Sequence, residues 1–174
     1  MITTVVDRLH AEFKLLLSLL DDINEISLHI TVDENFRKSL LLSAASYFER
    51  QITDDLLQFV EEHSNNNNLI TSFVKNKAIS RQYHTLFNWD AKNANQFFGL
   101  FGEGFKNHMQ NSIENDSGLE SAIKAFLEIG RERNRLVHQD YGAFSLEKTA
   151  DEIYEMYLRA IQFVQILPLK LREI

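Results

Sequence analysis

A chain of 174 residues, 44% apolar and 25% charged, has the length for one domain with a proper core, spanning residues 1–174. Cysteine is absent, which excludes a disulfide frame, a thiolate nucleophile and a thiolate metal site, and favours a reducing compartment. The net charge of −7 argues against a generic nucleic-acid coat but leaves room for a local basic site.

From the N-terminus, the chain reaches Asp7 and Arg8 too soon for a signal peptide, and no uncharged apolar run approaches the roughly 18 residues that span a membrane. A cytoplasmic protein without a membrane segment is the expectation. Leu9, Phe13, Leu16, Leu17, Leu20 and Ile23 recur at helical spacing, so residues 3–26 read as the first helix. Thr31 to Asp33 offer a cap for a second, which carries Leu40, Leu41, Ala44, Phe48, Ile52, Leu56 and Phe59 to about His63. Ser64 to Asn68 is a polar loop. Residues 69–90 are less regular: Leu69, Ile70, Phe73 and Val74 make one apolar face, and Lys75, Lys77, Arg81 and His84 a basic cluster, read as a solvated surface.

Residues 92–113 return to helix through Phe97, Phe98, Phe101, Phe105 and Met109, with a bend or close helix contact expected at Gly99, Gly102 and Gly104. Those aromatics are most simply core packing rather than a base-stacking platform. Ser117 and Glu120 match a capping box that opens a helix through Ile123, Phe126 and Ile129, and Thr149 with Glu152 match a second. The last helix is expected to stop near Pro168, the chain's one proline. The pattern predicts an all-α, up-and-down helical bundle with one extra helical excursion.

Chemistry concentrates at residues 131–142, where Arg131, Arg133, Asn134, Arg135 and His138 close an apolar helix just before Tyr141 and Gly142. Arginine clamps phosphate with a planar fork of donors, and histidine passes protons near neutral pH. At about 100° per residue Asn134 and His138 share a face, while Arg133 and His138 diverge by roughly 140°. One copy therefore surrounds a phosphate poorly. Two copies facing across a two-fold axis would bring two histidines and two arginines to one cleft. On RNA, a histidine would take the proton of the 2′-hydroxyl, which attacks the adjacent phosphorus while arginine stabilises the phosphoryl oxygens. Such a reaction needs no metal or other cofactor and leaves a 2′,3′-cyclic phosphate.

The spacing alone carries little weight, because an Arg-x4-His match arises by chance in this composition with a probability of roughly 0.3. The same cations also suit a helix C-terminus without any catalysis. His29, His63 and His108 are not paired with acidic residues at metal spacing, and no Gly-rich phosphate loop occurs.

The full string Arg133-Asn134-Arg135-Leu136-Val137-His138, leading into Tyr141-Gly142 and one last amphipathic helix, resembles the HEPN superfamily, and within it the RiboL-PSP-HEPN group. Looser likeness extends to Ser46–Arg50, to Trp89 with Phe97–Phe101, and to residues 149–164. The resemblance implies a helical bundle that dimerises through the Arg133–His138 face into a composite ribonuclease site, acting as a toxin or antiviral defence effector with a cognate antitoxin or defence partner. By residue, it makes Arg133 and His138 catalytic, has Asn134 orient the histidine or contact phosphate, and has Glu49 buttress the motif. Arg131 and Arg135 would then bind RNA, with Tyr141 in support. One departure stands out: the tyrosine modified in one toxin branch lies two residues after the histidine, where this chain has Asp140. Two other readings use the same residues, a non-catalytic module for dimerisation or partner binding and an RNA-binding regulator without turnover.

Overall fold

A computed structural model describes residues 3–173. Among them the chain is all-α: α1 (Val5–Asp22), α2 (Ile26–His63), α3 (Asn68–Val74), a π-helical turn (Lys75–Ile79), α4 (Tyr83–Leu86), α5 (Asn95–Gly99), α6 (Glu103–Glu114), α7 (Ser117–His138) and α8 (Ala150–Leu171). Backbone contacts group these into two compact units. One comprises residues up to Tyr47 with Ile129–Leu158, the other Phe48–Glu128 with the described residues from Arg159 on.

The first unit is built on α1, the start of α2, the end of α7 and the start of α8. Thr4 caps α1, its hydroxyl accepting from the Asp7 N–H while the Asp7 carboxylate accepts from the Thr4 N–H. The α1–α2 turn falls earlier than Thr31 would place it. Asn24 takes the left-handed conformation (φ 56°), and the Glu25 and Asn24 N–H groups return to the Leu20 and Asp21 carbonyls. This arrangement satisfies the carbonyls that a helix end leaves open, and asparagine tolerates it better than most residues. Thr31 then lies inside α2 and donates its hydroxyl to the Ser27 carbonyl. With neither glycine nor proline from Ile26 to His63, nothing interrupts the helix.

Phe36, Leu40, Leu41, Leu136, Ile153 and Tyr157 are the buried heart of this unit. Phe13 stacks on Phe36 at 4.1 Å, and His10 stacks on Tyr154 at 3.9 Å. Polar bonds fasten α1 to α8: Tyr154 donates to Asp7 (2.9 Å), Thr4 and Tyr157 share a hydrogen bond (2.7 Å), and Asp151 accepts from His10 (2.9 Å) and Lys14 (3.0 Å). Burial pushes the Tyr157 hydroxyl's pKa well up, so it stays a neutral phenol. The hydrogen bonds from His10 and then Lys14 hold the Asp151 carboxyl below the usual aspartate range. A depressed carboxylate contributes stability above its unfolded pKa and loses it as pH falls through the folded one. Asp151→Asn is therefore expected to lower the melting temperature slightly at neutral pH, with the gap from the parent closing in acid below the ordinary aspartate range. A gap that persists there would mean the carboxylate's charge is irrelevant to the fastening.

The second unit holds the aromatic core. Phe126 meets Phe48, Phe87, Trp89 and Phe163 at ring separations of 4.9–5.7 Å, and Phe87 stacks on Phe97 at 4.5 Å. The phenylalanines of α5 and α6 are thus core packing, as their periodicity predicts. Gly102 divides the expected 92–113 helix in two, because its φ of 92° suits glycine alone. Gly99 and Gly104 make no close approach to a neighbouring element. In the Asn65–Asn67 tract, Asn65 and Asn66 take left-handed φ values and Asn67 caps α3. Two further expectations are corrected. Asp116, not Ser117, caps α7, accepting from the Gly118 and Leu119 N–H groups (2.9 and 3.1 Å), since a carboxylate suits the positive helix start better than a hydroxyl. Helix α8 also runs through Pro168 to Leu171, because Leu167 and Leu171 gain burial that offsets the bond lost at the proline.

Candidate functional site at the end of α7

The candidate site lies in the first unit, where the last turns of α7 meet a turn and a loop over residues 139–149. Leu136 is fully buried (0% exposed) and pegs the helix to the core. That peg sets the rotation of the turn: Arg131, Arg135 and His138 are exposed, and Arg133 and Asn134 half-buried. His138 is the final residue of the helix. Its side chain makes no hydrogen bond, ion pair or ring contact among the described residues, so the imidazole faces solvent with both nitrogens available.

The three arginines are not equivalent. Glu132, whose side chain is only 12% exposed, binds Arg135 through both carboxylate oxygens (3.1 and 2.9 Å) and lies 3.6 Å from Arg131 Nε. Arg135 also lies over the Phe144 ring, 5.6 Å from its centroid. Arg133 has no carboxylate partner among the described residues; its Nη1 donates instead to Asn134 Oδ1 at 3.1 Å. A guanidinium carries five N–H donors, so this bond leaves most of the fork for a ligand. Asn134 is held by Arg133 rather than by His138, and its amide nitrogen is left as a donor beside the guanidinium. The structure thus brings Arg133 and Asn134 together, places His138 on the same final turns, and gives Arg131 and Arg135 a partial counter-charge.

The turn and loop after His138 are fixed by residues that carry no motif in the sequence. Asp140 accepts from the Gly142 N–H through its side chain (3.0 Å), and its carbonyl accepts from Ala143 and Phe144, so it shapes a tight turn where the toxin branch carries its tyrosine. Lys38 of α2, only 6% exposed, donates to the Tyr141 carbonyl at 2.8 Å and sits over the Tyr141 ring at 5.0 Å. Beside it, Arg37 donates to the Leu146 carbonyl (3.0 Å) and pairs with Asp33 at 3.1 Å, though its Nε is not aligned for a hydrogen bond. Phe144 and Leu146 are buried below. Tyr141 is therefore a docking point for the loop, though 42% of the residue remains exposed. Glu49 belongs to the second unit, where its side chain is exposed and its carbonyl accepts from the Thr53 hydroxyl. The neighbouring Arg50 pairs with Asp54.

An all-α chain with an arginine–asparagine pair and a solvent-facing histidine at the end of a long helix has the features of an HEPN-type domain. The chain belongs to the RiboL-PSP-HEPN family, whose model matches residues 7–172. HEPN domains often dimerise, and many are ribonucleases. No curated protein and no solved structure shows a significant match to the chain. No helix among the described residues is long and apolar enough to cross a membrane.

Proposed function

We propose that this chain is a metal-independent endoribonuclease whose working unit is a homodimer formed through the Arg133–His138 face. The observation that carries the reading is that the last turns of α7 hold both a solvent-facing His138 and Arg133, the arginine of the cluster with no carboxylate partner among the described residues. In the composite site one His138 removes the proton of the ribose 2′-hydroxyl, and the 2′-oxygen attacks phosphorus. The bond to the 5′-oxygen breaks, and the second copy's His138 supplies the proton that the leaving oxygen takes up. Arg133 and the Asn134 amide bear the charge that builds on the phosphoryl oxygens. The products are a 2′,3′-cyclic phosphate and a 5′-hydroxyl. A cytoplasmic role as a toxin or defence effector, with a cognate partner that restrains it, rests on family likeness.

The test is cleavage of single-stranded RNA in EDTA, with the termini identified by mass spectrometry. Cyclic phosphate and 5′-hydroxyl ends are expected, and a 2′-deoxy substitution at the cut should block the reaction. Cleavage that survives this substitution would overturn the mechanism. A second reading, a non-catalytic interaction module, is favoured by the exposed Leu15, Leu19, Ile23, Ile26 and Ile30 around the α1–α2 turn. It predicts partner capture and no cleavage of any RNA.

A further inference from the structure

None of the chain's 25 acidic residues falls between Glu62 and Asp90. Within that interval lie α3, the π-helical turn and α4, carrying Lys75, Lys77, Arg81 and His84, all exposed. Lys75, Lys77 and Arg81 form no ion pair among the described residues. Elsewhere cations are regularly matched: Lys14, Arg37, Arg50, Lys106, Lys124 and Arg172 each meet a carboxylate. An acidic protein has thus kept one surface segment free of counter-charge, and the field of its other carboxylates makes that segment the more distinct.

The same segment exposes apolar side chains that a soluble surface element usually buries. Phe73 is 67% exposed and Leu69 83%, with Ile70 beside them. From α3 through the π-helical turn Ile79 alone is fully buried, with Thr71 and Val74 half-buried and the other side chains exposed. Local backbone geometry adds to the departure from an ordinary helix. The Ser80 N–H reaches back five residues to the Lys75 carbonyl (2.7 Å), and Arg81 holds a φ of 62°, unusual for a long side chain.

We infer that residues 69–84 form a binding surface for single-stranded RNA, with Phe73 as a stacking platform for a base and Lys75, Lys77 and Arg81 as phosphate contacts. Unpaired cations next to an exposed aromatic ring are what sequence-tolerant single-strand binding requires, since every base offers a π-face and every linkage a charge. Polyanion complementarity favours RNA over a purely apolar partner, which would leave three cations desolvated without compensation. The inference rests on the ribonuclease reading for its choice of RNA as the polyanion, and it assigns that enzyme a second place of contact with its substrate.

The test is fluorescence anisotropy of a labelled single-stranded oligoribonucleotide on the 174-residue chain carrying His138→Ala, so that binding is read without cleavage. Adding Lys75→Ala, Lys77→Ala and Arg81→Ala should weaken binding about tenfold or more and lower the slope of log affinity against log salt by about 2, at roughly 0.7 per phosphate contact. Phe73→Ala should weaken it about tenfold with the slope unchanged. Circular dichroism melts should match the parent, because the substituted side chains are exposed. Unchanged affinity and slope in the triple variant would overturn the proposal. So would loss of binding to phosphatidylserine vesicles in that variant with RNA affinity intact, which would reassign the surface to a membrane. A chain that binds RNA here yet cuts none refutes the enzyme and leaves the surface. A chain that cuts RNA with the same KM in the triple variant does the reverse.

Discussion

Replacing His138 with alanine is expected to lower RNA cleavage by about 10²–10⁴-fold, the usual contribution of a positioned acid–base group, while the fold stands unchanged. The side chain is exposed at the end of α7 and bonded to nothing among the described residues, so its removal costs no packing. Substitutions at such places usually shift stability by less than about 0.5 kcal/mol. Initial rates on a fluorogenic RNA, set beside a urea melt of the same preparation, separate the two effects. A variant that cuts RNA at the parental rate would remove the histidine from the mechanism. Arg133→Lys is informative alongside it, since lysine keeps the charge and loses the planar fork.

Leu136→Ala should behave in the opposite way. Leu136 lies in the same six-residue string but is fully buried, and truncating such a leucine costs about 2–5 kcal/mol. The urea midpoint should fall markedly. Under conditions where the variant is still folded, cleavage per folded molecule should stay within a few-fold of the parent, because the leucine touches no reacting atom. An unchanged midpoint would mean that the end of α7 is not pegged as described. Together the two substitutions divide the string into a residue that sets the helix's rotation and residues that the rotation presents.

That division is half legible in the sequence. Periodicity marks Leu136 as apolar and inward, and the Arg-Asn-x-Leu-Val-His spelling marks its neighbours as chemical, which leads correctly to an all-α chain of the RiboL-PSP-HEPN family. The balance among the arginines is harder to see. Glu132 and Arg135 stand at a spacing where helical side chains meet, yet only the structure shows that Arg133 turns to Asn134 instead. Helix ends are the least legible. Thr31 and Ser117 are good caps in isolation, but Asn24 and Asp116 compete nearby and win through a left-handed turn and a carboxylate respectively. Pro168 misleads for a related reason: a local penalty is readable in a sequence, and the burial of Leu167 and Leu171 that outweighs it is not. Lys38 gives no signal at all. A lysine amid an apolar stripe looks like an ordinary surface residue until a loop from a hundred positions later is laid across it.

The buried lysine has a practical consequence. Amine-reactive reagents modify a lysine only when its nitrogen is accessible, and the Lys38 nitrogen is covered by the chain at Tyr141. Exposed Lys92, outside residues 69–84 in the same molecule, supplies an internal standard for reagent strength. The ratio of the two labelling rates, followed peptide by peptide in a mass spectrometer, therefore counts how often residues 139–149 lift away from α2. Any ligand or second copy that clamps this loop will slow the Lys38 reaction relative to that of Lys92, giving a footprint of occupancy even in a variant that has lost all turnover.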